Sequence, residues 1–343
     1  MNFTFSLSRV PAMLKQFGLD WFILALLGMI LLAYLIPGPG AQQGPASLDS
    51  IAGYGVSLIF FFYGLRLDGA QIKAGLSNWR LHLIIQSATF LIFPLLVGGL
   101  IALLQSGQPE YEYLWLGVFF LAALPSTVSS SVVMVSIARG NIPAAIFNAS
   151  ISSLLGVFIT PLWMGLMMQQ SSSNEMNLGS VVGKLALQVF LPVVLGILLN
   201  PTRLGAFAGR YRKTLKYFDQ LIILLIVYTS FSESFEQNMF AGYAVSDLLI
   251  LGAGLLGLFA VMVMILVGLS IISKFNWEDR ITLIFCGSKK SLVHGSVMAK
   301  VLFTGSIAGV VLLPVMLYHA MQLIIASILA QSFAQRKKPQ PIT

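Results

Sequence analysis

Two short stretches of this chain put polar chemistry inside apolar sequence. Residues 124–131 read Leu-Pro-Ser-Thr-Val-Ser-Ser-Ser, and residues 286–291 read Cys-Gly-Ser-Lys-Lys-Ser. In the first, Pro125 lacks an amide hydrogen and blocks the helical bond to residue 121. Ser126, Thr127, Ser129, Ser130 and Ser131 then offer hydroxyls that can satisfy freed backbone groups or coordinate a solute; a plain kink eased by those hydroxyls is the alternative. In the second, Lys289 and Lys290 stand some twelve residues from either end of the apolar segment 277–303. A cation near the bilayer centre costs at least about 2.5–3.5 kcal/mol and normally faces a cavity or a partner. If the segment were not a span, the lysines would lie in a loop, but apolar sequence on both sides, ITLIFC and LVHGSVMA, opposes that. On a helix the two would point about 100° apart, so at most one need line a site.

No Asp or Glu falls at the centre of an apolar segment; Asp219 and Asp247 fall at segment ends. A cation site would therefore rest on hydroxyls and carbonyls, or a protonated lysine is itself the internal cation. Helix amino ends near Ser131 and Ser291 would add partial positive charge. These features favour an anionic group on the solute. The candidates for contact with solute or ion are Thr127, Ser129, Ser130, Ser131, Asn148, Ser152, Ser288, Lys289, Lys290 and Ser291. Gln86, Pro125, His294, His319 and Gln322 are expected to support them. Asn148, with Ser150, Ser152 and Ser153, can equally be a small polar face that packs helices, and His319 with Gln322 suits an interhelical hydrogen bond. No metal and no cofactor is expected; Na+ and H+ are the candidate coupling ions.

The elements that must position these residues follow from composition. The chain has 343 residues, 57% of them apolar and 9% charged, with net charge +8 and mean hydropathy +0.88. Globular domains carry about 25% charged residues, so the bilayer has to be the solvent. Segments near 21–37, 51–65, 81–104, 113–138, 141–168, 179–199, 217–232, 247–273, 277–303 and 307–331 are long and apolar enough to be spans. The loops between them alternate in charge. One set holds Arg9, Lys15, Arg66, Lys73, Arg80, Arg139, Arg203, Arg210, Arg212, Lys213, Lys216, Lys274, Arg280, Arg336, Lys337 and Lys338, and the other holds Asp49, Glu110, Glu112, Glu175, Glu233, Glu236 and Asp247. The basic set is cytoplasmic by the positive-inside rule, which puts both termini inside an inner (plasma) membrane and makes nucleic acid an unsuitable partner. The first 20 residues read as a retained amphipathic lead-in rather than a signal peptide, and the single Cys286 excludes a disulfide framework.

Ten spans divide into two fives, and an odd number per half inserts the second half upside down. The expected architecture is all-α: one membrane transporter domain, residues 1–343, of two inverted five-helix repeats, 21–168 and 179–331. The fourth member of each half, span 4 and span 9, is interrupted, and solute sites in such folds lie where interrupted helices cross.

At this pattern the chain resembles the bile acid:sodium symporter superfamily, and within it the SBF-like branch named for a likeness to cation–proton antiporters. Phe-Tyr-Gly-Leu-Arg-Leu at 62–67, the stretch from Pro125 to Gly140 that ends in Ile-Ala-Arg-Gly-Asn, and above all Gly-Ser-Lys-Lys-Ser at 287–291 carry the resemblance. It implies a panel of spans 1, 2, 6 and 7 and a core of spans 3–5 and 8–10. It implies that the symporters' Ser-Asn pair falls on Ser130 and Ser131 (or one position later, aligned from Gly140), and that their span 5 hydroxyls fall near Ala145 and Ala149, beside Asn148 and Ser150. The symporters' glutamate falls on Phe285 and the following glutamine on Lys289. Sodium is then not expected to be held as in those symporters, and Lys289 is the lysine on which transport should depend. The function expected is secondary active transport of a small anionic organic solute by alternating access. Two rivals remain: an ion-handling regulator, since eukaryotic members of the branch are linked to cellular calcium control, and an intramembrane Ser–Lys hydrolase, which needs a serine within reach of a lysine.

Overall fold

The structure, a computed structural model, describes residues 21–66, 78–104, 111–170, 186–303 and 305–335. The amphipathic lead-in, Leu67 and Lys73, Glu110, Glu175, the start of the sixth expected span and the basic tail lie outside the described residues.

Among the described residues every regular element is a helix. Those of eight residues or more are, in chain order, α1 (Trp21–Leu35), α2 (Leu48–Leu65), α3 (Trp79–Leu104), α4 (Glu112–Ala123), α5 (Ser129–Ile137), α6 (Ile142–Gln170), α7 (Leu191–Leu199), α8 (Arg203–Arg210), α9 (Arg212–Glu236), α10 (Val245–Ile272), α11 (Trp277–Ser288), α12 (Leu292–Leu302) and α13 (Ile307–Gln335). Six of them, α2, α3, α6, α9, α10 and α13, are long and apolar enough to cross a membrane, and a seventh crossing is counted if the segment ending in α7 is taken with α8, across a 101° bend. The protein is thus a multi-pass membrane protein. The expected fourth and ninth spans fail the length criterion because each is two helices, α4 with α5 and α11 with α12. Residues 200–216 were expected to be a plain basic loop; instead α8 forms there and α9 begins at Arg212. Thr202 accepts the Leu204 amide at 3.2 Å and starts α8, while Gly205 and Ala208 are buried.

Caps and prolines set the helix ends. Ser47 accepts the Ser50 amide at the start of α2 (3.1 Å), and Asn276 accepts the Asp279 amide at the start of α11 (2.8 Å). In α3 a π-helical turn at Ala88–Ile92 leads into Pro94. Pro94 has no N–H, and the Phe90 carbonyl it leaves free accepts Trp163 Nε1 at 2.8 Å.

The helices pack in two groups. α1, α2, α7 and α9 pack on one another, and α3, α4, α5, α6, α10, α11, α12 and α13 form the other group. The groups meet through α9 against α12 and α13, and through α2 against α12. At the end of the bundle away from the basic loops the seam is drawn tight. Lys300 of α12 pairs with Asp49 of α2, and Ser234 of α9 donates to the Ser306 carbonyl. There Gly309 of α13 lies so close to α9 that a Cβ would meet Ser234 and the Ser230 carbonyl.

Candidate functional site

The two interruptions meet. Leu124–Val128 separates α4 from α5, and Lys289–Ser291 separates α11 from α12. The Ser291 amide donates to the Pro125 carbonyl at 2.9 Å, joining break to break, and Ser131 Oγ donates to the Phe285 carbonyl at 3.3 Å. Glycine makes a third helix fit: a Cβ on Gly156 of α6 would lie 2.7 Å from the Pro125 ring.

At the first break the freed backbone groups find specific partners. The Ser126 amide donates to Ser152 Oγ (2.9 Å), and Thr160 Oγ1 donates to the Ala123 carbonyl (2.8 Å). Thr127 Oγ1 shares hydrogen bonds with Ser130 Oγ (2.7 Å) and Ser131 Oγ (3.0 Å), and Ser126 Oγ lies 3.5 Å from Ser131 Oγ. Val128 stands at the cap position of α5 and has no hydroxyl or carboxyl to cap it, and no side-chain cap is made among the described residues. Ser129 opens α5, but its side chain lies outside the described set.

At the second break, Ser288 Oγ back-bonds to the Ile284 carbonyl (2.7 Å), and Tyr318 donates to the Ser288 carbonyl (2.8 Å). Gln322 grips Lys290 at both backbone atoms: Oε1 accepts its N–H and Nε2 donates to its carbonyl, each at 2.8 Å. His319 Nδ1 lies 2.8 Å from Gln322 Nε2 and 3.4 Å from the Lys290 carbonyl. Ser291 caps α12, accepting the His294 amide at 3.2 Å, and the Tyr63 ring stands edge-on to His294.

Both lysines are fully buried (0% exposed) and both turn towards the first break. Lys289 Nζ donates to the Ser130 carbonyl at 2.9 Å. Lys290 Nζ donates to the carbonyls of Thr89 (2.9 Å), Ala122 (2.6 Å) and Leu124 (2.8 Å), and lies 4.3 Å from the centre of the Phe93 ring. The helical spacing assumed for the pair does not hold, because Lys289 is extended (φ −93°, ψ 146°) and α11 has ended. Neighbours in extended backbone point to opposite sides, and each ammonium finds a different set of carbonyls. Both bond to carbonyls; among the described side chains neither donates to a serine hydroxyl.

Not every residue singled out in the sequence joins the crossing. Asn148 bonds His82 Nδ1 (2.7 Å) and the Ala144 carbonyl (2.8 Å), and Gln86 Nε2 bonds Asn148 Oδ1 at 3.2 Å. Gln86 and Asn148 thus make a polar clasp between α3 and α6, while Ser152, one turn on, reaches the first break. Sequence reasoning missed Thr89, Phe93, Thr160 and Tyr318. Pro94 was the available signal for the first two, since a proline within a span frees carbonyls a turn before it. It also missed Asp279, which accepts from Asn78 (3.0 Å) and Asn141 (2.8 Å) and ties the starts of α3, α6 and α11 together.

A bundle of apolar helices in which two interrupted helices cross, with buried charge and hydroxyls at the crossing, defines the class of membrane transporters built on broken helices. The chain belongs to the SBF-like CPA transporter family, whose model matches residues 20–335. Protein PA2026 of Pseudomonas aeruginosa is 41% identical over 322 residues, 93% of this chain and 94% of its own. YfeH, a proposed symporter of Escherichia coli, is 37% identical over 320 residues, with 93% and 94% covered. Sodium/bile acid cotransporter 7-B of Xenopus laevis is 28% identical over 320 residues, 92% of each chain. The family is one of transporters, and two of these relatives are named as a symporter and a cotransporter; the chain is a transporter and not an enzyme.

Proposed function

We propose that this protein is a secondary active transporter that moves a small organic anion by alternating access. The observation that carries the reading is the Lys289 ammonium. It is fully buried and, among the described residues, bonded to the Ser130 carbonyl alone. An ammonium has three N–H donors, so two remain for a ligand. Beside it the uncapped amino end of α5 and the hydroxyls of Thr127, Ser130 and Ser131 supply further donors and positive potential. A carboxylate or sulfonate is the group such a corner suits.

The architecture that goes with this reading is ten spans in two inverted repeats, 21–168 and 179–331, with α4/α5 and α11/α12 as the broken fourth and ninth spans. α1, α2, α7 and α9 form the panel, and the remaining membrane helices form the core. The basic residues around Arg66, Arg139, Arg203–Lys216 and Lys274 put that end of the bundle, and both termini, on the cytoplasmic side of the inner membrane. The Lys300–Asp49 pair and the close Gly309 contact then close panel against core on the outer side, which suits a state facing the cytoplasm. Na+ and H+ are the candidate coupling ions, and among the described residues no carboxylate stands at the crossing to hold sodium as the bile acid symporters do.

The test is uptake of radiolabelled carboxylates and sulfonates into proteoliposomes, with and without sodium or proton gradients. Saturable uptake of an anion that is lost in Lys289→Gln is the expected result. Uptake of organic cations only would overturn the reading, and strict dependence on two sodium ions would overturn the expectation that sodium is not held as in the bile acid symporters.

A further inference from the structure

We infer that Lys290 is a resident cation: its ammonium fills a cage of backbone carbonyls that would otherwise be a site for a small monovalent cation, and so fixes the crossing without any bound ion. The argument starts from three carbonyls that the sequence orphans. In α3 the Phe93 amide reaches back five residues to Ala88 through the π turn, and the next residue, Pro94, has no amide; the Thr89 carbonyl is left with no helical donor. At the end of α4 the Ala122 carbonyl would accept from the Ser126 amide, but that amide is taken by Ser152 Oγ. The Leu124 carbonyl lies beyond the last turn of α4, in the break itself. Buried in an apolar bundle, such groups each demand a donor.

Lys290 Nζ supplies all three, at 2.9, 2.6 and 2.8 Å. Three acceptors around one nitrogen require the ammonium, because a neutral amine has only two N–H groups. Among the described residues no carboxylate bonds to it. The charge is met by carbonyl dipoles, by the negative carboxyl end of α4, and by the face of the Phe93 ring at 4.3 Å. Dehydrated monovalent cations are held by carbonyls in the same manner. The lysine differs in that it cannot leave: Gln322 pins its backbone at both N and O. Lys290 is therefore a positioning residue that holds α3, the end of α4 and both breaks in register, and the shape of the crossing does not depend on sodium. The inference does not rest on the anion reading, which concerns Lys289, and either can fail alone.

The experiment is thermal unfolding of the purified full chain in detergent at constant ionic strength, varying NaCl against choline chloride and adding n-propylammonium or 1-butanol. Wild type should gain no stability from n-propylammonium, because its cage is already filled. Lys290→Met, which keeps most of the stem and removes the charge, should fall by roughly 10 °C or more. Lys290→Ala opens the stem space as well; it should recover stability, or become recoverable at all, in n-propylammonium, to a lesser degree in NaCl, and not in 1-butanol. Three results would overturn the proposal: Lys290→Met as stable as wild type, equal rescue of Lys290→Ala by 1-butanol and n-propylammonium, or failure of every addition to restore Lys290→Ala.

Discussion

Ser291 caps α12, Gln322 holds both backbone atoms of Lys290, and Tyr318 takes the last carbonyl of α11, so the second break is finished by its own surroundings. The first break is finished on its carbonyl side, by Lys290, Thr160 and the Ser291 amide, and at the Ser126 amide, by Ser152. Among the described residues, its amino side, the start of α5, has no side-chain cap, and the lysine beside it uses one donor where its neighbour uses three. Groups already satisfied gain little from a ligand, whereas a buried donor with capacity to spare gains a full hydrogen bond in low dielectric. On the reading proposed above, the comparison separates scaffold from site within a few residues: Lys290 and the second break would hold the crossing, and Lys289 with the amino end of α5 would be where a mobile anion binds.

Substitutions can break or sharpen that contrast. The largest effect is expected for Lys289→Gln, which should cut the initial rate of anion uptake roughly 10- to 100-fold, the worth of a charged hydrogen bond. Its unfolding temperature should stay close to wild type, opposite to Lys290→Met, and paired uptake and melting measurements on the two variants check this. Next is Gly156→Val, which forces a branched side chain against the Pro125 ring, already 2.7 Å from a bare Cβ. It should destabilise by about 1–3 kcal/mol, read as a lowered melting temperature. Ser291→Ala removes the cap that the first break lacks, and should cost about 1 kcal/mol in stability while leaving anion affinity unchanged in a binding titration. The smallest effect is expected at the far seam. Lys300 and Asp49 keep 16% and 21% of their side chains exposed, so a double-mutant cycle of Lys300→Gln with Asp49→Asn should return a coupling of roughly 1 kcal/mol or less.

Much of this was legible in sequence. Pro125 with its hydroxyls and the lysine pair inside apolar segments marked both breaks, because each violates the rules for a continuous span in a way that has few physical remedies. The choice of Lys289 over Lys290 rests on the resemblance, and the partners of each lysine were not legible: the offset of about 100° assumes a helix, and the helix ends at Ser288. The partners of Lys290 come from Thr89 and Ala122, 201 and 168 residues away, and no local pattern joins them. Lys300 and Asp49, 251 residues apart, are hidden for the same reason. Asn148 and Gln86 carried a polar signal that was real, but its target is the clasp with His82 and not the crossing. α8 escaped because its charged ends, Arg203 and Arg210, read as loop, and its eight residues are too few for a helical period to stand out.

The central claim, that Lys289 is the cation with room for a ligand, is tested most directly by binding. Wild type and Lys289→Gln should be titrated side by side with a panel of carboxylate and sulfonate anions, following the shift in melting temperature. At least one anion should stabilise wild type and leave Lys289→Gln unmoved, with the two proteins unfolding at similar temperatures in its absence. Equal stabilisation of both proteins by the same anion would contradict the claim.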